Sequence, residues 1–69
     1  MSKVYFDRCG QSGNIFYIMG MAYNALLKEG RRADAEAMNQ KVMAQHSYED
    51  ALEVIAEFVD LIDVSEEEV

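Results

Sequence analysis

Asn14-Ile15-Phe16-Tyr17-Ile18-Met19-Gly20-Met21-Ala22-Tyr23-Asn24-Ala25-Leu26-Leu27-Lys28-Glu29-Gly30 is the stretch that decides the fold class of this chain. Ile15, Met19, Ala22 and Leu26 recur at helical spacing, and Phe16, Tyr23 and Leu27 form an adjacent stripe, so apolar surface covers more than half the circumference. Asn14, or Ser12 before it, suits the N-cap, and Gly30 suits the left-handed position just past the last turn. The expectation is a central helix over about residues 14–29. Gly20 costs about 1 kcal/mol against alanine in a helix interior, and close approach of another backbone is the compensation the sequence suggests. The longest apolar run, Ile15 to Tyr23, is far shorter than the roughly 20 residues that cross a bilayer, so it reads as core.

Two further helices follow on the C-terminal side. Residues 32–45 are dense in Ala, Glu, Met, Gln and Lys, which favour helix, but Ala35, Met38 and Val42 give only a narrow apolar stripe. Ser47-Tyr48-Glu49-Asp50 approximates a capping box with Asp in place of Glu or Gln, opening a third helix expected over about 48–63. Leu52, Ile55, Ala56, Val59 and Ile62 supply its apolar face, widened by Val54, Phe58 and Leu61, and residues 64–69 read as a frayed tail.

On the N-terminal side, Val4 and Phe6 alternate with Tyr5 and Asp7, so residues 3–8 suggest a short strand or arm. A lone strand is not stable, so it must pair with another segment, pair across a dimer, or lie extended on the helices. The expected architecture is one domain over 1–69, mostly α: a compact three-helix domain with a short N-terminal extended strand or arm. With 69 residues such a core is small, and domains of this size bury only about 60% of their unfolded surface. A single cysteine, Cys9, excludes an internal disulfide, and one Cys with one His cannot build a structural metal site. Support from self-association or a partner is the remaining expectation. Residues 1–8 become charged too early for a signal peptide, and a free thiol suits a reducing compartment, so a cytoplasmic location is expected.

Charge is strongly asymmetric. The net charge is −7, yet residues 1–45 hold all six bases with four acids, whereas residues 46–69 hold nine acids and no base. Direct nucleic-acid binding is not expected from so few clustered bases, nor is membrane association. On a helix reaching residue 63, Glu49, Glu53, Glu57 and Asp60 share the side opposite the apolar face, and five like-charge pairs at helical spacing cost roughly 1 to 2.5 kcal/mol in sum. Three readings compete: a solvated face, a docking surface for a basic protein partner, or intramolecular pairing with Arg31, Arg32 or Lys41. A calcium loop is absent from the sequence.

Other chemical groups read more simply. Cys9 precedes a turn and a helix start but has no resolving cysteine, so a structural thiol is the expectation. Gly10-x-x-Gly13 reads as a tight turn rather than an anion cradle, and His46 as a turn residue beside Asp50. Met19, Met21, Met38 and Met43 sit at core spacing. No nucleophile, base and orienting group can be assembled, so no enzyme, cofactor or metal is expected.

Gly13-Asn14-Ile15-Phe16-Tyr17-Ile18-Met19-Gly20, Ala25-Leu26-Leu27-Lys28-Glu29-Gly30 and Ser47-Tyr48-Glu49-Asp50-Ala51-Leu52 resemble a group of short bacterial proteins found on phages and mobile elements. The resemblance implies a small helical accessory protein and supplies no ligand or catalytic residue. The function expected is therefore that of a small acidic interaction module or accessory regulator, with Glu49, Glu53, Glu57 and Asp60 as the partner surface and a homodimer as a further possibility. The alternatives are an acidic nucleic-acid mimic that inhibits a basic protein, and, less in keeping with the residues, a minimal enzyme or metal-binding protein.

Overall fold

Helix α1 spans Ile15–Lys28, and its ends are set by local chemistry. The Asn14 carboxamide oxygen accepts the Phe16 N–H at 2.8 Å, which satisfies one of the donors every helix start leaves open. Gly30, at φ 75°, then lets the chain turn back: its N–H donates to Leu27 C=O at 3.0 Å and the Arg31 N–H to Leu26 C=O at 2.8 Å. These two bonds are the paired closure of a Schellman stop. The computed structural model describes residues 2–10 and 13–67, so the alternative cap Ser12 and the end of the expected tail, Glu68 and Val69, lie outside the described residues.

The buried stripe of α1 is Ile18, Ala22 and Leu26; Ile18 belongs to neither expected stripe, while Ile15, Met19, Tyr23 and Leu27 are partly buried against the core and Phe16 is not. Phe16 stands about 160° round the helix from Ile18 and is 64% exposed. Gly20 also departs from expectation, because among the described residues no atom beyond its own helix lies within 4 Å of where its Cβ would be. No neighbouring backbone therefore compensates for it.

Helix α2 spans Arg32–Met43 and buries Ala35, Met38 and Val42, the narrow stripe read from the sequence. It stops two residues before the expected end, where the Gln45 side chain folds back to donate to Lys41 C=O at 3.0 Å. Helix α3 spans Tyr48–Ala56 and buries Ala51, Leu52, Val54 and Ile55. Its start is the capping arrangement foreseen, with Ser47 Oγ accepting the Asp50 N–H at 3.1 Å.

The third helix does not run to residue 63. After Ala56 the N–H groups of Glu57 and Phe58 bond three residues back, tightening the turn, and the chain then extends as a strand. Continuing the helix would set Glu57, Asp60 and Asp63 in its last turns, against the negative end of the helix dipole and against one another. The Leu61-Ile62 pair accepts a strand readily, and a partner strand is at hand.

That partner is the N-terminal segment. Strand β1 (Lys3–Phe6) pairs in parallel with strand β2 (Asp60–Asp63), in the register Lys3↔Asp60, Val4↔Leu61, Tyr5↔Ile62 and Phe6↔Asp63. The order is thus β1-α1-α2-α3-β2, followed by a 3-10 turn over Val64–Glu67. Val4 and Phe6 point into the core with Ile18, Leu26, Met38, Ile55 and Val59. The protein is mostly α: α1 packs on β1, α3 on β2, and α2 packs against α1 and α3.

Candidate functional site

The four expected partner residues no longer share one helix. Glu49 and Glu53 lie on α3, Glu57 caps its C-terminus, and Asp60 opens β2. Two of them are already engaged. Glu49 forms an ion pair with Arg8, whose guanidinium sits 5.3 Å above the Tyr48 ring, and Glu57 pairs with Lys41 at 2.9 Å. Intramolecular pairing thus accounts for part of the acidic face through Lys41 and Arg8. Arg31 and Arg32 instead bind Glu29, Asp34 and Glu36 around the α1–α2 junction. Among the described residues, Asp50, Glu53 and Asp60 have no basic partner.

What the fold assembles from this material is a shallow groove of about 300 Å³ between the sheet and α3. Phe6, Leu52, Ala56 and Leu61 give it apolar lining; Glu49, Glu53, Asp63 and Arg8 give it a polar rim. The rim carries three carboxylates against one guanidinium. Glu49 and Glu53 are brought together here, whereas Glu57 and Asp60 fall outside the groove. Sequence reading missed Phe6, Leu61, Asp63 and Arg8, because only the strand pairing brings residues 6–8 beside residues 61–63.

Asp63 is held firmly at one end of the groove. Its Oδ1 accepts the Ser65 hydroxyl at 2.6 Å, the Ser65 N–H at 3.0 Å and the Arg8 N–H at 3.4 Å. The Ser65 hydroxyl above all, then the backbone donors and the Arg8 charge, lower the Asp63 carboxyl below its ordinary range. At the other end of the molecule Glu29 is lowered by hydrogen bonds from the Ser2 hydroxyl and Arg31, and Arg31 is raised by its bonds to Asp34 and Glu29.

Gly13 ties the N-terminal turn to α3. Its N–H donates to Gly10 C=O at 3.0 Å, and its own C=O accepts the Tyr48 hydroxyl. A Cβ here would lie 2.7 Å from Asp7 C=O oxygen and closer still to that of Arg8, so only glycine fits. The bond from Gly13 to Gly10 is the closure a tight turn requires, while Gln11 and Ser12 between them lie outside the described residues.

The remaining chemical groups stay apart. Cys9 is exposed on the turn beside Asp7, Val64 and Ser65. His46 is exposed at the α2–α3 junction, on a second groove lined in part by Phe16, Met43 and Tyr48, and makes no ion pair with Asp50. Met38 is core, Met19 and Met21 pack on it, and Met43 is 65% exposed. Among the described residues no three His, Cys, Asp or Glu side chains converge as a metal site requires, and no helix is long and apolar enough to cross a membrane. The chain matches no protein-family model, and no curated protein or solved structure is significantly similar to it.

Proposed function

We propose that this protein is a small acidic interaction module, an accessory or regulatory protein of the phage or mobile-element kind that its sequence resembles, and that it acts without catalysis. Its α3–sheet groove takes a basic segment of a protein partner. The observation that carries this reading is the groove itself: apolar lining from Phe6, Leu52, Ala56 and Leu61 inside a rim with three carboxylates and one base. Apolar stems of lysine or arginine fit such a floor while their charged ends meet the rim, which supplies both burial and charge complementarity. Asp50 and Asp60 extend the negative field beyond the rim, because nothing basic neutralises them among the described residues. Direct binding of nucleic acid is not part of the reading: Arg8, Arg31, Arg32 and Lys41 are all committed to carboxylates.

The test is quantitative affinity capture with the wild-type chain and with Glu53→Lys, each at low and at high salt. Glu53 is exposed and unpaired, so the variant keeps the fold while reversing the rim charge. Partners held by the wild type and lost both in Glu53→Lys and at high salt support the groove. Identical capture by both proteins refutes it. A second reading, an acidic mimic that occupies the nucleic-acid site of a basic protein, is favoured by the run of nine acids without a base over residues 46–69. It differs in one outcome: nucleic acid displaces the captured partner from the mimic and leaves a groove-bound peptide segment in place.

A further inference from the structure

Only one edge of β1 is used by the sheet. The Asp60 N–H donates to Ser2 C=O at 2.8 Å, and with Lys3 opposite Asp60 this fixes the phase of the ladder. In a strand the N–H and C=O of a residue point to one side and those of the next residue to the other. Val4 and Phe6 therefore serve β2, and Lys3 and Tyr5 present their N–H and C=O groups on the outer edge. The sheet has two strands, so among the described residues no further strand covers that edge. Such an edge is a template for another strand, and recognition by strand addition divides the work: main-chain bonds give affinity, and the side chains beside the edge select the sequence.

The side chains beside this edge line a groove of about 550 Å³ between β1 and α1. Val4, Tyr5, Met21 and Ala25 give it apolar walls; its charged residues are Lys3 and Lys28, and no carboxylate joins the lining. In a chain of net charge −7 this is the reverse of the α3–sheet groove, whose rim is mainly acidic. Both lysines are exposed, and they are the two bases that enter no ion pair among the described residues. The carboxylates nearest them along the fold do not take them up. Asp60 stands opposite Lys3 across the ladder without forming an ion pair with it, and Glu29, next in sequence to Lys28, accepts the Ser2 hydroxyl and the Arg31 guanidinium instead.

The two lysines approach the edge from different sides. Val4 and Phe6 take the core face of β1, so Lys3 lies on the opposite face, whereas Lys28 comes from the last turn of α1, which packs on the core side. Neighbouring side chains of an added strand also point to opposite faces, so of two consecutive acids one meets Lys3 and the other Lys28. We propose that the outer edge of β1 binds an extended acidic segment of a partner protein, which joins the sheet as a third strand and sets adjacent carboxylates on Lys3 and Lys28. Repulsion from the acids elsewhere in the chain is screened over about 8 Å at physiological ionic strength, so the two lysines govern the field close to this edge. The surface shares no residue with the α3–sheet groove. It therefore stands whether or not that groove holds a basic partner.

The test is titration of the isotope-labelled full chain with synthetic peptides, followed by NMR. The probe is a short capped peptide of Thr and Val with two adjacent glutamates at its centre. One comparison peptide carries lysines in their place; another keeps the glutamates but has its backbone amides methylated, so that it cannot pair as a strand. Saturable shifts of the Lys3 and Tyr5 amides, with slower hydrogen exchange there, are expected from the glutamate peptide alone, and they weaken in high salt. Lys3→Gln combined with Lys28→Gln changes two exposed side chains, keeps the fold, and weakens binding by about threefold or more. A glutamate peptide that leaves both amides unmoved overturns the proposal, as does equal binding of the lysine peptide, of the methylated peptide, or by the doubly substituted chain. A single-stranded oligonucleotide that shifts the same amides at lower concentration than the glutamate peptide also overturns it, and assigns the edge to nucleic acid.

Discussion

Replacing two glycines by alanine is expected to move stability in opposite directions. Gly13 is buried, and its new methyl group would meet the carbonyl carbon of Arg8 at 2.8 Å and the carbonyl oxygen of Asp7 at 2.7 Å. These are backbone atoms, which cannot swing aside, so the chain at Asp7 and Arg8 or at Gly13 itself must shift. Overpacking of this kind costs about 1 to 3 kcal/mol. The shift also pulls the Gly13 carbonyl from the Tyr48 hydroxyl, a loss of about 1 kcal/mol. Gly13→Ala should therefore lose about 2 to 4 kcal/mol, close to the roughly 3 to 5 kcal/mol that a core of this size supplies. Gly20 lies exposed within α1 with open space where its Cβ would be, and Gly20→Ala should gain about 1 kcal/mol through helix propensity and a less flexible unfolded chain. Urea denaturation followed by far-ultraviolet circular dichroism, at one fixed protein concentration, reads both. With a slope of about 1 kcal/mol per molar, the Gly20→Ala midpoint rises by about 1 M and Gly13→Ala loses most of its folded baseline. A Gly13→Ala protein as stable as the wild type, or a Gly20→Ala protein less stable, would refute the reasoning.

Tyr48→Phe keeps the ring under Arg8 but deletes the bond to Gly13, so it should cost about 1 kcal/mol and lower Tm by about 4 to 8 °C in a domain this size; an unchanged Tm in a thermal scan counts against that bond. Asp63 titrates below its ordinary value when folded, so its stabilising contribution is present above the unfolded carboxylate pKa of about 3.9 and is lost as the pH falls through the lower folded value. Asp63→Asn should accordingly flatten the acid side of a stability–pH profile below about pH 4, leaving Glu29 to give a smaller slope of the same sign, and an unaltered profile argues against the Ser65 contact. Lys41 and Glu57 are both about half exposed, so a double-mutant cycle between them should give a coupling of at most about 1 kcal/mol that fades in high salt; a larger, salt-resistant coupling would mean that the pair is shielded from water.

Local chemistry made most of the helices legible. The Asn14 and Ser47 caps, the stop at Gly30 and the Ala35-Met38-Val42 stripe each depend on residues within one or two turns of one another. The error over residues 57–63 has the opposite origin. Val59 and Ile62 fit the helical period begun at Leu52, and Val59 is indeed buried, but as part of the turn into β2. What selects strand there is Lys3↔Asp60 pairing, which no local window contains. The repulsion counted along a long third helix was a warning from the same residues: the fold removes Asp60 and Asp63 from the helix and relieves part of that cost. The groove was half legible for the same reason. Its α3 side, Glu49 and Glu53, could be read from helical spacing, whereas Phe6, Arg8, Leu61 and Asp63 needed the sheet.

Parallel pairing of residues 3–6 with residues 60–63 also sets the order of events during folding. The three helices rest on near-neighbour contacts and can form within microseconds, whereas the sheet closes a loop that contains all of them and must bear its entropy. During synthesis β1 leaves the ribosome before any of the helices and long before β2, so it waits without its partner while the rest of the chain is made. The last bonds of the native state are thus those between the first and last strands. A chain stalled before residue 60 retains helices but leaves both edges of β1 open to any other strand it meets.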